Sequence, residues 1–352
     1  MWIPRFQLLT AVIVSFLALQ NSTAQPQLTL PQVSPAAEIR QTIGLTEIII
    51  SYHRPAVNGR EIWGNLVPYG QVWRAGANEN TTISFSDTVM INGKELPAGK
   101  YGLHMLPEKD KWTIIFSNVH WAWGSFSYDS TEDALRISAT PETAPFEERL
   151  NYRFDGVTGN SAEIALYWEK LRVPFTVTID EHKLAIQNFR RQLRDLPRFF
   201  WRGWYQAANY ANQNNIATQQ ALDWIDRSIN INENFSNLQV KADLLKKMGR
   251  RDEAARIQKR AFELATENEV NQYGYQLLSA GNVNEAIEIF RKNIADHPDS
   301  WNVYDSMGEA YAVQGDTVKA VEFYKKALDR TADQNQQQRI RNILQNLQKQ
   351  GN

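Results

Sequence analysis

Between Ser51 and Glu79 the chain places three arginines (Arg54, Arg60, Arg74), two tryptophans (Trp63, Trp73) and the polar pair Asn78 and Glu79 in a run that follows neither the helical nor the strand period. Such a segment is held by shape and by specific polar partners, so any chemistry of the chain is sought there first. Three chemistries fit its residue types. The first is a metal site from His53, His104 and His120 with Glu79, but no His-x-His or His-x3-His pairing supports it, and no metal is expected. The second is an anion site, because clustered guanidinium forks match carboxylate or phosphate, and Gly59, Gly64, Gly70 and Gly76 would let backbone amides approach. The third is sugar stacking on Trp63, Trp73, Trp121 and Trp123.

Each has a structural counterpart. The arginines could pair with Glu61, Glu79 or loop carbonyls, and the tryptophans could plug the end of a sheet sandwich; both structural roles are the favoured ones. His104 alternates with Leu103 and Met105, which points it away from their face, toward solvent or a groove. The candidate ligand-binding residues are therefore Arg54, Arg60, Trp63, Trp73, Arg74, Asn78, Glu79, His104 and Trp121, with none assigned as catalytic and no cofactor expected. There is no Gly-x-Ser-x-Gly, P-loop or paired-glycine dinucleotide turn. An enzyme is the alternative: a hydrolase of envelope glycan or peptide with Glu79 as general base and Arg60 and Arg74 holding substrate. A purely structural assembly module is a third.

Two kinds of element position these residues. From Ala36 to about Ile179 the chain runs in short alternating segments: Thr82–Phe85, Val89–Ile91, Tyr101–Leu106, Trp112–Phe116, Leu135–Ala139, Leu150–Phe154, Ile164–Trp168 and Phe175–Ile179. Asn92-Gly93 marks a type I′ hairpin. This is an antiparallel all-β sandwich or barrel. After Asp180 the period becomes helical, and small residues recur: Ala221, Ala254, Ala286 and Ala320 stand at intervals matched by Ser228, Ala261, Asn293 and Ala327. Gly249, Gly281 and Gly315 mark turns. A small residue every 32–34 positions lets paired antiparallel helices approach, and stacked pairs bury what one pair leaves open. The run Tyr304-x2-Met307-Gly308-x2-Tyr311 followed by Gly315, Ala320, Tyr324 and Ala327 resembles the tetratricopeptide repeat (TPR), which implies an all-α C-terminal array and a protein or peptide partner.

The ends and the composition bound the rest. Arg5, the apolar run Leu8–Leu19 and Ser22-Thr23-Ala24 read as an export leader cleaved after Ala24, leaving no membrane-spanning segment and a periplasmic or secreted chain. With no cysteine there are no disulfides. Lys and Arg total 38 against 39 Asp and Glu, which argues against nucleic acid. The expected layout is leader 1–24, linker 25–35, β-domain 36–180, connecting helix 181–200, repeats 201–335 and capping helix 336–352.

One family resemblance adds to this. Ser34-Pro35-Ala36, Tyr52-x-Arg54-Pro55-x-Val57-x-Gly59-Arg60-x-Ile62-Trp63-Gly64 and Leu66-Val67-Pro68-Tyr69-Gly70-x-Val72-Trp73-Arg74-x-Gly76-Ala77-Asn78-Glu79 resemble the bacterial domain of unknown function number 2911 (DUF 2911), as do Leu96-Pro97-Ala98-Gly99-x-Tyr101 and Trp123-Gly124. The resemblance spans about residues 34–178. It implies an exported β-rich domain, in some members followed by helical repeats, and transfers no catalytic residue. His53 departs from the serine many members carry there.

Overall fold

The computed structural model describes residues 30–350; the expected leader, and residues 25–29 of the expected linker, lie outside them. Chain contacts cluster into two units, dividing between Ile179 and Asp180.

The first unit is all-β and antiparallel. Its strands are β1 (Ala36–Ile43), β2 (Thr46–His53), β3 (Thr82–Phe85), β4 (Val89–Ile91), β5 (Lys94–Leu96), β6 (Gly99–Leu106), β7 (Trp112–Ser117), β8 (Asp133–Ala139), β9 (Glu142–Asp155) and β10 (Ser161–Thr178). They form one sheet ordered β1-β2-β3-β6-β7-β8 and a second ordered β5-β4-β10-β9. Strand period sets the faces: along β2, Thr46, Ile48, Ile50 and Tyr52 are buried while Glu47, Ile49, Ser51 and His53 are not. Inner-face aromatics meet across the gap. Tyr52 lies 4.9 Å from Tyr152, and Phe116 lies 5.8 Å from Phe175. That is a sandwich. Asn92 and Gly93 both take positive φ, as the β4–β5 hairpin demands.

Two expectations about strands change. β1, β2 and β5 add to the expected set, β1 as the edge of the first sheet with β2 beside it and β5 as an edge of the second. The two strands expected at Ile164–Trp168 and Phe175–Ile179 are one, β10. Its register shifts around Glu169, which takes φ 55°, so the polar interruption is a bulge and not a turn.

The second unit is all-α. Helix α1 (Glu181–Gln192) precedes the hairpins α2 (Trp201–Gln213)/α3 (Thr218–Ile231), α4 (Phe235–Lys247)/α5 (Arg251–Leu264), α6 (Glu267–Ser279)/α7 (Val283–Asp296) and α8 (Trp301–Gln314)/α9 (Thr317–Arg330), with α10 (Gln334–Gln350) last. The periodic small residues sit where helices touch: Ala221, Ser228, Ala261, Ala286, Asn293, Ala320 and Ala327 have no accessible surface. Where the small position is polar, its side chain ties the second helix of a pair to the first residue of the first. Ser228 Oγ donates to Trp201 O (2.9 Å), and Asn293 Nδ2 donates to Glu267 O (3.0 Å). Gly308 is required by close approach, since a Cβ there would stand 3.0 Å from the Tyr324 ring.

Candidate functional site

The irregular segment from Arg54 to Thr81 satisfies its backbone by borrowing from both sheets. Val57 N donates to Glu148 O (2.7 Å) and Leu150 N to Pro55 O (3.0 Å), so its start extends β9. Trp73 exchanges two 2.8 Å bonds with Met105, and Leu103 N donates to Thr81 O, so its end runs along β6. Its arginines take part in this. Arg54 Nε donates to Leu150 O (3.0 Å). Arg60 Nε donates to Val57 O (3.0 Å), and its Nη2 bonds Ala56 O. Asn78, at φ 56°, donates from Nδ2 to Ser34 O and Gln32 Oε1, both at 3.1 Å. Trp63 and Trp73 join Trp112 and Trp168 in one aromatic cluster: Trp63 meets Trp112 edge-on at 5.0 Å, and Trp73 stacks on Trp168 at 5.9 Å.

The expected residues do not converge on one cavity. Arg74 lines one cleft and Glu79 another; Arg54, Arg60 and Asn78 line neither. Between the two clefts runs a strap, residues 118–128, laid over the outer face of β6. Gly102 permits it, because a Cβ there would collide with Val119 O.

His104 corrects an expectation. Alternation does send it to the outer face with Lys100 and Gly102, but the strap covers that face, so His104 is buried and not open to solvent or a groove. Its Nδ1 lies 2.8 Å from Ser125 Oγ. That is the separation of a nucleophile and its base. Burial, however, pushes the imidazole down to about 4, opposed only by the nearby Asp133 carboxylate. A base held that low is weak at neutral pH. The pair fastens the strap to the sheet.

The first cleft, 250 Å³, is walled by Pro68, Trp73, Arg74, Ser125 and Phe126. Arg74 lies 5.6 Å from the Trp123 ring centre and 5.8 Å from that of Phe126, which stack on each other at 5.7 Å. Its Nε is buried without a hydrogen-bond partner among the described residues, and burial lowers the guanidinium from its ordinary value. The second cleft, 310 Å³, lies on the outer face of β2, β3 and β6 against the strap, and brings His53, Glu79, Asn80, Lys100, His120 and Trp121 together. Sequence reasoning missed Asn80, Lys100 and Ser125. Only the strap, which has no sequence period, places them at a cavity.

The helical unit has clefts of its own. An open one of 520 Å³ gathers Arg194, Arg198 and Arg227, with Arg227 4.8 Å over Trp204. Another, of 260 Å³, runs across α2, α4 and α6 and is lined by amides, among them Asn209, Asn212, Gln239, Gln272 and Gln276, with Tyr205 and Tyr273. Asn212 Oδ1 and Gln239 Nε2 are buried there with no hydrogen-bond partner among the described residues. Burial raises the Asp243 carboxyl, and Lys247 and Lys246 oppose that shift.

Residues 34–177 match the family described as "Protein of unknown function (DUF2911)", and residues 236–268 match the tetratricopeptide repeat. β-domain first and repeats second is the expected order. Among solved structures, the chain is similar to YrrB, titled a TPR protein with an unusual peptide-binding site, at 22% identity over 45% of this chain and 81% of that one, with a TM-score of 0.26. It is also similar to MamA (19% identity, 41% and 80% covered, TM-score 0.26) and to pilF of Pseudomonas aeruginosa (15%, 43% and 68%, 0.27). No curated protein matches it.

Proposed function

We propose that this DUF2911-plus-TPR chain is an exported scaffold that holds an extended peptide segment of a partner protein in the groove across α2, α4 and α6. The observation that carries the reading is the set of buried amides with unpartnered atoms in that groove, Asn212 Oδ1 and Gln239 Nε2. An Asn or Gln side chain offers one donor group and one acceptor, which matches a main-chain amide whatever the peptide sequence. Stacked hairpins present such a row along a continuous surface. The charged residues lining the groove are Asp243 and Glu269. A lysine, arginine or free amino group of the peptide would therefore relieve the desolvated Asp243 carboxylate.

The test is panning of the mature chain against a library of free decapeptides. Enrichment of sequences carrying Lys or Arg is expected, with binding weakened about tenfold in Gln239→Ala, the loss of one buried hydrogen bond. No enrichment, or an unchanged set retained by Gln239→Ala/Asp243→Asn, defeats the reading. Export rests on the leader pattern of residues 1–24. Expressed from Met1 in a Gram-negative host, the chain should be recovered from the periplasmic fraction with Gln25 first; an intact Met1 in the cytosol counts against export.

A further inference from the structure

The cleft between the outer sheet face and the strap has features independent of the helical groove. Its floor is Asn80, 7% exposed, whose Nδ2 and Oδ1 both lack a partner among the described residues. A buried amide with neither atom paired is costly, on the order of 1–3 kcal/mol, and such groups are rare enough to need a reason. One wall is Trp121, 74% exposed. The His120 ring lies 5.2 Å away and nearly perpendicular to the indole, and the exposure of Trp121 leaves ring surface open to a ligand. Glu79 also lines the cleft, its Oε2 3.2 Å from His53 Nε2, so the carboxylate is oriented while its side chain stays 56% exposed. Lys100 lines the same cleft.

These groups select a ligand class. Paired donor and acceptor atoms on one amide suit vicinal hydroxyls, each of which both donates and accepts. A carboxylate accepts from further hydroxyls through charge-assisted bonds. An exposed indole face suits the apolar C–H face of a sugar ring. One lysine and one glutamate leave the cleft with little net charge, while the arginines an anion would need are elsewhere: Arg54 is bonded to the β9 carbonyl of Leu150, Arg60 to a carbonyl of its own loop, and Arg74 faces the other cleft. We infer that this cleft binds a neutral sugar ring, with Trp121 as the platform, Asn80 reading a pair of hydroxyls at the floor, and Glu79, positioned by His53, accepting from a third.

Titration calorimetry of the full mature chain tests it, with neutral hexaoses of glucose, mannose and galactose as probes and a galacturonate hexamer as the charged comparator. At least one neutral hexaose should bind, and Trp121→Ala should weaken it about tenfold or more, the loss of one stacking contact. Because Trp121 is exposed, the variant should melt with wild type. Asn80→Asp, which removes the donor and keeps the shape, should also abolish binding. The inference is overturned if no neutral hexaose binds at about 5 mM, far above useful affinity. It is equally overturned if Trp121→Ala binds as well as wild type, or if only the galacturonate hexamer binds.

Discussion

His104 sits under residues 118–128 with Ser125 Oγ on one side and the Tyr128 ring 5.5 Å away. Tyr128 is itself pushed up to about 12 by burial and by its bond to Asp133. The imidazole stays neutral in the folded chain down to about pH 4, whereas in the unfolded chain it takes a proton near 6.5. As pH falls from 7 the unfolded state binds the extra proton first, so stability present above 6.5 is lost progressively toward 4. The loss between pH 7 and pH 5 should be about 2 kcal/mol. Urea unfolding of wild type and His104→Gln at both pH values checks it. The variant should lack that part of the pH dependence, and an equal pH dependence in both would remove His104 as its source. Sequence alternation placed this residue on the correct face, but its burial depends on a strap with no period to read. The arginines teach the same lesson. Arg54 finds its acceptor at Leu150 O and Arg60 within its own turn, and nothing local distinguishes such fixtures from ligand-binding forks.

At the scale of elements, legibility follows how cleanly a face is buried. β3 and the Tyr101–Met105 part of β6 alternate in sequence, β7 is a short apolar run, and all three are readable, as is the Asn92-Gly93 hairpin, where both turn residues take positive φ. β1 is an edge strand with an exposed or half-exposed side chain at all but one position, so it carries no apolar stripe. In β2, Glu47-Ile48-Ile49-Ile50 breaks the alternation, because Ile49 on the outer face is as apolar as the core residues beside it. β10 reads as two strands, Ile164–Trp168 and Phe175–Ile179, because the bulge around Glu169 keeps the strand going while its side chains change face. The helices were legible for the opposite reason. Their small residues are fixed by helix-to-helix contact every repeat, and Gly249, Gly281 and Gly315 all take the left-handed turn that ends a helix. Spacing alone therefore showed the array, but not which of its faces carries amides without partners. That depends on how α2, α4 and α6 are set side by side.

At the scale of the whole chain, the two proposed sites belong to units that should unfold differently. The β-unit is closed by contacts between distant segments: Tyr52 Oη donates to Asn151 Oδ1 (2.8 Å), and Tyr152 Oη donates to Ala75 O (2.9 Å). Removing one such segment opens both sheets, so its melting should be sharp and two-state. The helical unit is held within each hairpin and between neighbouring ones, with separate apolar clusters along its length. Its melting should be broader, because cooperativity in such arrays runs only from neighbour to neighbour. A ligand stabilises the fold that binds it and no other. At one hundred times its dissociation constant each should contribute about 2.7 kcal/mol, a rise of about 5–10 °C in the transition it acts on. Calorimetry of the mature chain should thus show a sharp transition raised by the neutral hexaose alone and a broad one raised by the enriched peptide alone. If both ligands move a single common transition, the units do not unfold separately. If the peptide moves the sharp transition, its site lies outside the α2–α4–α6 groove; if the sugar moves the broad one, the cleft beneath Trp121 is not where it binds.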